Sequence, residues 1–240
     1  DLLLIDGLAF GAFSEMERVA IKKPLIVLLH HPLADETGLS ADVAQQFYDL
    51  EKSNLRLADR VIVTSQATKA RLINAYDVRD EKIIVAEPAI TQPSTLAHSQ
   101  SKSNNEPCHL LAVGSLSPRK NYALIINALA HLKTKRSWLF TLAGRCDDQQ
   151  ETQILKRLIH DVGLQGQIHL RGAVSETELQ TLYQTSDFLL FPSLYEGYGM
   201  ALTEALSYGL PVIASQTIPA AKHFEGDGVV LLAPAQRALW

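Results

Sequence analysis

The chain has 240 residues, 47% of them hydrophobic and 20% charged, and a formal net charge of −4. That supplies apolar material for a buried core and for two modest domains, and it lacks the basic excess with which proteins hold nucleic-acid phosphates, so no nucleic-acid partner is expected. Any anionic partner must therefore be met by local groups. Cys108 and Cys146 form no CxxC pair or ligand cluster and read as free thiols in a reducing, cytoplasmic setting. No apolar run reaches the roughly 18–20 residues that span a bilayer, and the first residues lack the basic stretch of a secretory signal. Peripheral contact with the inner face of a membrane stays open.

Strand-sized apolar runs recur along the chain at Leu2–Ile5, Leu25–Leu29, Arg60–Thr64, Lys82–Ala86, Leu110–Gly114, Trp138–Ala143, Gln167–Leu170, Phe188–Phe191, Val212–Ala214 and Val229–Leu232. Helix-like stretches lie between them: Ala41–Leu57, Gln66–Tyr76, Arg119–Leu132, Thr152–Val162, Glu176–Thr185 and Met200–Ser207. Regular alternation of this kind predicts an α/β protein with parallel sheets covered by helices on both faces. Ser65 is placed to cap one helix, and Ser175 with Glu178 forms an S-x-x-E capping box at another. From Thr91 to Pro107 the chain turns polar and loses hydrophobic periodicity. It reads as connecting sequence, with an interdomain linker at 99–107, a domain over 1–98 before it and another over 108–240 after it.

Two segments concentrate chemistry. In FPSLYEGYGMALTEALSYGLPVIAS (Phe191–Ser215) a strand ends, a glycine-rich turn follows, and a helix starts near Gly199. Free backbone N–H groups and the positive end of a helix dipole then lie at the carboxyl edge of a parallel sheet, where an anion is welcome. Glu196 precedes that helix and Glu204 lies inside it, so the two carboxylates can address different parts of one extended ligand. In VGSLSPRKNYALIINAL a strand ends at Gly114 and a loop brings Arg119 and Lys120 to a helix start. Cations there oppose the helix dipole unless an anion lies between, and a diphosphate would supply one. The plainer alternative makes Glu196 a turn residue that complements the helix dipole, Glu204 a solvated helix residue, and Arg119 and Lys120 exposed basic residues.

Glu196 and Glu204 enclose seven residues, and EGYGMALTE resembles the E-x7-E signature of family 4 retaining glycosyltransferases. VGSLSPRKN is similar to that family's phosphate loop, and LAGRCDD, IHLRGAVSETELQTLYQTSDFLLFPS and GLPVIAS follow in the family's order. The resemblance is specific over about residues 108–234 and looser over 1–90. It implies the GT-B architecture of two Rossmann-like domains, the second holding a nucleoside-diphosphate-sugar donor. In that assignment Arg119 and Lys120 bind the diphosphate beside Gly114 and Arg145, and Glu204 takes the ribose hydroxyls. Glu196 takes the hydroxyls of the transferred sugar, the backbone of Gly197, Tyr198, Gly199 and Met200 supports phosphate or sugar, and the Gly172–Ala173–Val174 turn borders the base. Ser115 stands where the family commonly has arginine, and Ala220 where it commonly has glutamate.

His30, at the end of the LIVLLHHP strand, matches the family's active-site histidine, expected to face Glu196 across a cleft between the domains. The acceptor would be a glycan or lipid-linked sugar. DETG (Asp35–Gly38) and CDD (Cys146–Asp148) show no metal-ligand spacing, and neither metal nor cofactor is expected. The chain enters at what resembles a middle strand of the first domain and stops before the closing helices, so an incomplete amino-terminal sheet with an open edge is anticipated. Other enzymes on the same scaffold are a sugar-nucleotide epimerase and a glycogen-synthase-like polymerase, and E-x7-E with paired cations favours transfer over epimerisation. A nucleotide-sugar-binding fragment without turnover is the other reading. No G-x-G-x-x-G follows a strand, which removes a dinucleotide oxidoreductase.

Overall fold

The computed structural model describes residues 1–14, 21–36, 38–90 and 106–233. The polar stretch Thr91–Pro107, with the linker expected at 99–107, lies outside the described residues except for Glu106 and Pro107. Two compact units emerge, Asp1–Ala89 and Ile90–Trp240.

The first unit runs β1 (Leu3–Asp6), α1 (Gly7–Gly11), β2 (Leu25–Leu29), α2 (Ala41–Leu55), β3 (Arg60–Val63), α3 (Gln66–Tyr76) and β4 (Ile83–Val85). Its strands form one parallel sheet in the order β1-β2-β3-β4. Ser40 and Ser65 cap α2 and α3 by accepting from Val43 N and Thr68 N. Asp59 locks β3 to β2, since its carboxylate accepts from Leu25 N at 2.7 Å while its own N–H donates to Leu25 O at 2.9 Å. Phe10, Val27, Val61, Val63, Leu72 and Tyr76 form the core. The short helix α1, which sequence reasoning missed, is held by its surroundings. Asp6 accepts from Leu8 N at its start, and the buried Asn54 amide donates to Phe10 O at 2.7 Å at its end. Leu2 and Leu4 at β1 and Leu8 in α1 are exposed.

The second unit continues with β5 (Cys108–Val113), a 3-10 turn (Pro118–Lys120), α4 (Tyr122–Ala130), β6 (Trp138–Ala143), α5 (Gln149–Asp161) and β7 (Ile168–Gly172). Then follow α6 (Glu176–Thr185), β8 (Phe188–Phe191), α7 (Met200–Ser207), β9 (Val212–Ser215), α8 (Pro219–His223) and β10 (Val229–Leu232). The six-stranded parallel sheet has the order β10-β9-β8-β5-β6-β7. From β5 the chain winds outward to β7, then returns to the other side of β5 to build β8, β9 and β10. This is the doubly wound order, and its topological switch point falls between β5 and β8.

Successive strand residues enter different layers, as the two-residue period requires. Leu111, Leu189 and Phe191 pack with Tyr183, Leu202 and Ala220 from α6, α7 and α8, while Ala112 and Leu190 pack with Ile125 and Leu155 from α4 and α5. Helices therefore cover both faces, as the apolar pattern predicts. The capping box at Ser175 and Glu178 is present.

Two helix starts differ from expectation, and three helices end one or two residues early. The stretch Arg119–Leu132 is not one helix, because Asn121 adopts a left-handed conformation (φ 54°) that separates the 3-10 turn from α4. The helix expected from Thr152 starts earlier, at Gln149, because Asp148 of the CDD segment caps it by accepting from Glu151 N at 2.9 Å.

Candidate active site

β5 and β8 pair only through Leu110–Phe188 and Leu111–Leu189. Beyond those pairs each strand runs on into its own loop, one carrying Gly114 to Lys120 and the other Pro192 to Gly199. At their starts the strands are clamped by Asp187, whose carboxylate accepts from His109 N at 2.7 Å while its N–H donates to His109 O at 2.7 Å.

The two loops meet through charge. Glu196 Oε2 lies 2.8 Å from an Arg119 guanidinium nitrogen and Glu196 Oε1 lies 2.7 Å from Lys120 Nζ. The three side chains are only 10–15% exposed. Arg119 also donates to Tyr195 O at 2.8 Å, and Leu194 N donates to Arg119 O at 2.9 Å. Lys120 Nζ stands 5.1 Å from the centre of the Phe191 ring, a distance at which a cation is attracted to an aromatic face. Burial opposes ionisation of Glu196, yet the Lys120 and Arg119 charges more than offset it and hold the carboxyl below its usual range. The conflict expected from cations at a helix start is thus met within the chain, by Glu196. Two cations against one carboxylate leave this trio one positive charge in excess.

Glycines allow this closeness. A Cβ on Gly114 would lie 2.8 Å from Lys120 Cε and 3.0 Å from the Tyr122 hydroxyl, and Gly114 has φ 145°. Tyr122 donates to Gly114 O at 3.1 Å. On Gly144 a Cβ would sit 1.8 Å from Gly114 O, so the loops after β5 and β6 cross backbone to backbone. The contact is continued where Leu116 N donates to Arg145 O at 2.8 Å. The Arg145 side chain itself is exposed, paired with Asp147 at 3.3 Å.

α7 starts at Gly199, which has φ 118° and supplies no side-chain cap. A Cβ there would meet Ile218 at 2.8 Å. Tyr198 is buried, with its carbonyl accepting from Ala220 N at 3.0 Å, while Met200 is 39% exposed. Glu204, within α7, accepts from the Tyr183 hydroxyl at 2.9 Å. Gly172 (φ 72°) ends β7, its carbonyl accepting from Gly144 N at 2.9 Å. Ala173 is exposed and Val174 half-buried ahead of the α6 cap.

The structure therefore brings Gly114, Arg119, Lys120 and Glu196 into direct proximity and joins Arg145 to them through its backbone. Glu204 is engaged separately, by a tyrosine that sequence reasoning missed. The YQTSD stretch was legible as a helix end, but nothing local marked Tyr183 as a partner of α7.

In the first unit, His30 follows β2 with an exposed side chain 3.7 Å from Asp6, and its carbonyl accepts from Thr64 Oγ1 at 3.2 Å. His31 pairs with Glu36. The next turn is pinned from below by Glu51, 1% exposed, whose carboxylate accepts from Leu33 N at 2.7 Å and Ala34 N at 3.2 Å. Asp35 of DETG pairs with Arg71 through two hydrogen bonds of 2.6 and 3.0 Å.

A doubly wound sheet generally meets its ligands at the switch point, and here that edge carries the Arg119, Lys120 and Glu196 cluster. Residues 94–239, more than half of the chain, match the model of the family described as glycosyl transferases group 1, and the chain belongs to that family. The MMP alpha-(1->4)-mannosyltransferase of Mycolicibacterium hassiacum is 23% identical over 88% of this chain and 53% of its own length. The O-antigen chain mannosyltransferase RfbU of Salmonella typhimurium is 27% identical over 93% and 65%. The chain thus spans little more than half to under two thirds of these relatives. Among solved structures, sucrose-phosphate synthase from Thermosynechococcus elongatus superposes with a TM-score of 0.81 at 22% identity, covering 98% of this chain and 62% of that one. Anabaena Alr3699/HepE in complex with UDP and glucose superposes at 0.79 and 22%, covering 98% and 65%. The fold is the α/β fold with parallel sheets of GT-B glycosyltransferases. Among the described residues no helix is long and apolar enough to cross a membrane.

Proposed function

We propose that the second unit binds a nucleoside-diphosphate-sugar at the carboxyl edge between β5 and β8, and that the protein transfers the sugar to an acceptor hydroxyl with retention of anomeric configuration. The observation that carries this reading is the convergence of Arg119 and Lys120 on Glu196 at the switch point. Glycosyl transfer builds negative charge on a departing diphosphate while the anomeric carbon gains oxocarbenium character. Fixed cations favour the first and a nearby carboxylate the second, and both act most strongly where water is excluded. A diphosphate would take Arg119 and Lys120, and Glu196, displaced as their partner, would turn to the hydroxyls of the transferred sugar. Gly114, the Arg145 backbone and the uncapped start of α7 would complete the phosphate cradle, with Gly172, Ala173 and Val174 beside the base. Glu204 would take the ribose, and His30 of the first unit would serve the reacting face. Arg119 and Lys120 supply the charge neutralisation, so no metal or cofactor is invoked. The relatives above are named as mannosyltransferases, which makes a nucleoside-diphosphate-mannose the first donor to test, with a glycan or lipid-linked sugar as acceptor.

Calorimetric titration with UDP, GDP, ADP and their hexose conjugates tests donor binding. A product assay with anomeric assignment by NMR tests transfer and its stereochemistry. Absence of binding to all three nucleotides by the folded chain would overturn the reading. Binding without transfer to any acceptor would identify a nucleotide-sugar-binding module instead.

A further inference from the structure

Glu204 presents two carboxylate oxygens, and they are in different situations. Oε2 accepts from the Tyr183 hydroxyl at 2.9 Å, whereas Oε1 has no hydrogen-bond partner among the described residues. Tyr183 comes from α6, is 2% exposed, and stacks on Tyr208 with ring centres 5.4 Å apart and planes 20° from parallel. Its hydroxyl also lies 3.4 Å from Ala201 O. Burial, and then the neighbouring Glu204 charge, push the phenol far above its usual range, so the hydroxyl keeps its proton. An ionised carboxylate can only accept.

A half-buried glutamate on a helix samples several rotamers, and ordering it on binding costs free energy. Here one oxygen is tied to a ring that cannot move without breaking its own stack. The plane of the carboxylate is thereby set, and Oε1 is left to accept from a ligand. We propose that Tyr183 is a positioning residue that holds Glu204 ready for the paired 2′ and 3′ hydroxyls of a ribose, and that it thereby sets the preference of the site for ribonucleotides over nucleotides lacking those hydroxyls. The inference rests on the reading of Glu204 as the ribose ligand.

The test compares binding of the tightest of UDP, GDP and ADP with its 2′,3′-dideoxy analogue, by calorimetry, for the wild-type chain, Glu204→Gln and Tyr183→Phe. The expected result is that wild type prefers the ribonucleotide, that both variants lose about tenfold of that preference, and that affinity for the dideoxy analogue changes little in any of them. A purely structural tyrosine would weaken both ligands alike, so the ratio reports positioning. Tyr183→Phe with the wild-type ratio, while Glu204→Gln loses it, overturns this inference and leaves the ribose role of Glu204 standing. A wild type indifferent to the hydroxyls overturns that role and the inference together. Should Tyr183→Phe not fold, the hydroxyl proton of Tyr183 in the unaltered chain provides a second readout. Its hydrogen-bonded NMR resonance is expected to persist when the nucleotide is added, and its loss on binding would overturn the proposal.

Discussion

Lys120 and Glu196 stand 76 residues apart in the chain and 2.7 Å apart in space, each at the loop that leaves one of the two strands flanking the switch point. Each loop places charge in a nearly buried position where the other loop supplies the opposite charge. The pair therefore ties the order of the sheet to the chemistry at its edge.

Lys120→Ala is expected to weaken nucleoside-diphosphate binding by about 1.5–3 kcal/mol, the range for a hydrogen bond to a charged partner. Glu196 keeps Arg119 in that variant, so the fold should survive. Calorimetric titration decides the matter, and unchanged affinity would remove Lys120 from the phosphate site.

Glu196→Gln should behave in the opposite way. It leaves two buried cations without their counter-charge, a change that typically costs about 3–5 kcal/mol of stability, while the phosphate-binding groups remain. The melting temperature of the ligand-free chain should fall, and the rise on adding nucleoside diphosphate should exceed that of wild type, because the ligand now supplies the only anion. Turnover, in contrast, should drop. Equal ligand-induced shifts in variant and wild type would show that Glu196 is not what a diphosphate displaces.

Two buried glutamates give pH dependences of opposite sign. The Glu196 carboxyl is held low, against burial, by Lys120 and Arg119. Its contribution to stability is fully present above the unfolded value of about 4.3 and is lost as pH falls through the lower folded value. Glu51 is raised, mainly by burial and despite hydrogen bonds from Leu33 and Ala34. Its contribution is greatest below about pH 4.3 and declines as pH rises through the higher folded value. Melting curves across pH should show Glu196→Gln losing the acid-side slope and Glu51→Gln losing the one above it. Identical profiles for either variant and wild type would remove that residue from the account.

Gly144→Ala should destabilise the second unit by about 3–5 kcal/mol, at the upper end for single substitutions. The added methyl would lie 1.8 Å from a backbone oxygen of Gly114, and no rotamer change relieves a clash between main chains. Gly166→Ala is the control, since its methyl meets nothing within 4 Å. It should stay within about 0.5 kcal/mol by chemical denaturation. A mild effect at Gly144 would mean that the two loops can part freely.

What the sequence disclosed followed from local periodicity. The strand at Leu25–Leu29 and the capping box at Ser175 and Glu178 sit where the pattern puts them, because a strand's apolar run and a helix's first turn are properties of a few consecutive residues. The break at Asn121 escaped notice, since a left-handed residue before an apolar helix leaves no periodic trace. Arg119 and Lys120 were legible as a cation pair but not as buried, which depends on a carboxylate 76 residues away. Tyr183 was hidden for the same reason. Its partner lies 21 positions on, in a different helix, and a tyrosine inside an amphipathic stretch reads as core. α1 was missed because its end is finished by Asn54, supplied 44 residues later.

The ladder between β5 and β8 stops after Leu111 and Leu189, although both strands continue. Past those rungs each strand passes into its own loop, as at the topological switch point of other doubly wound sheets. A site made in this way needs no inserted domain or extra loop, because the winding order itself parts the two loops at the carboxyl edge. Specificity can then drift by exchange of a few residues in the two loops that border it, while the interlocked layers beneath stay unchanged.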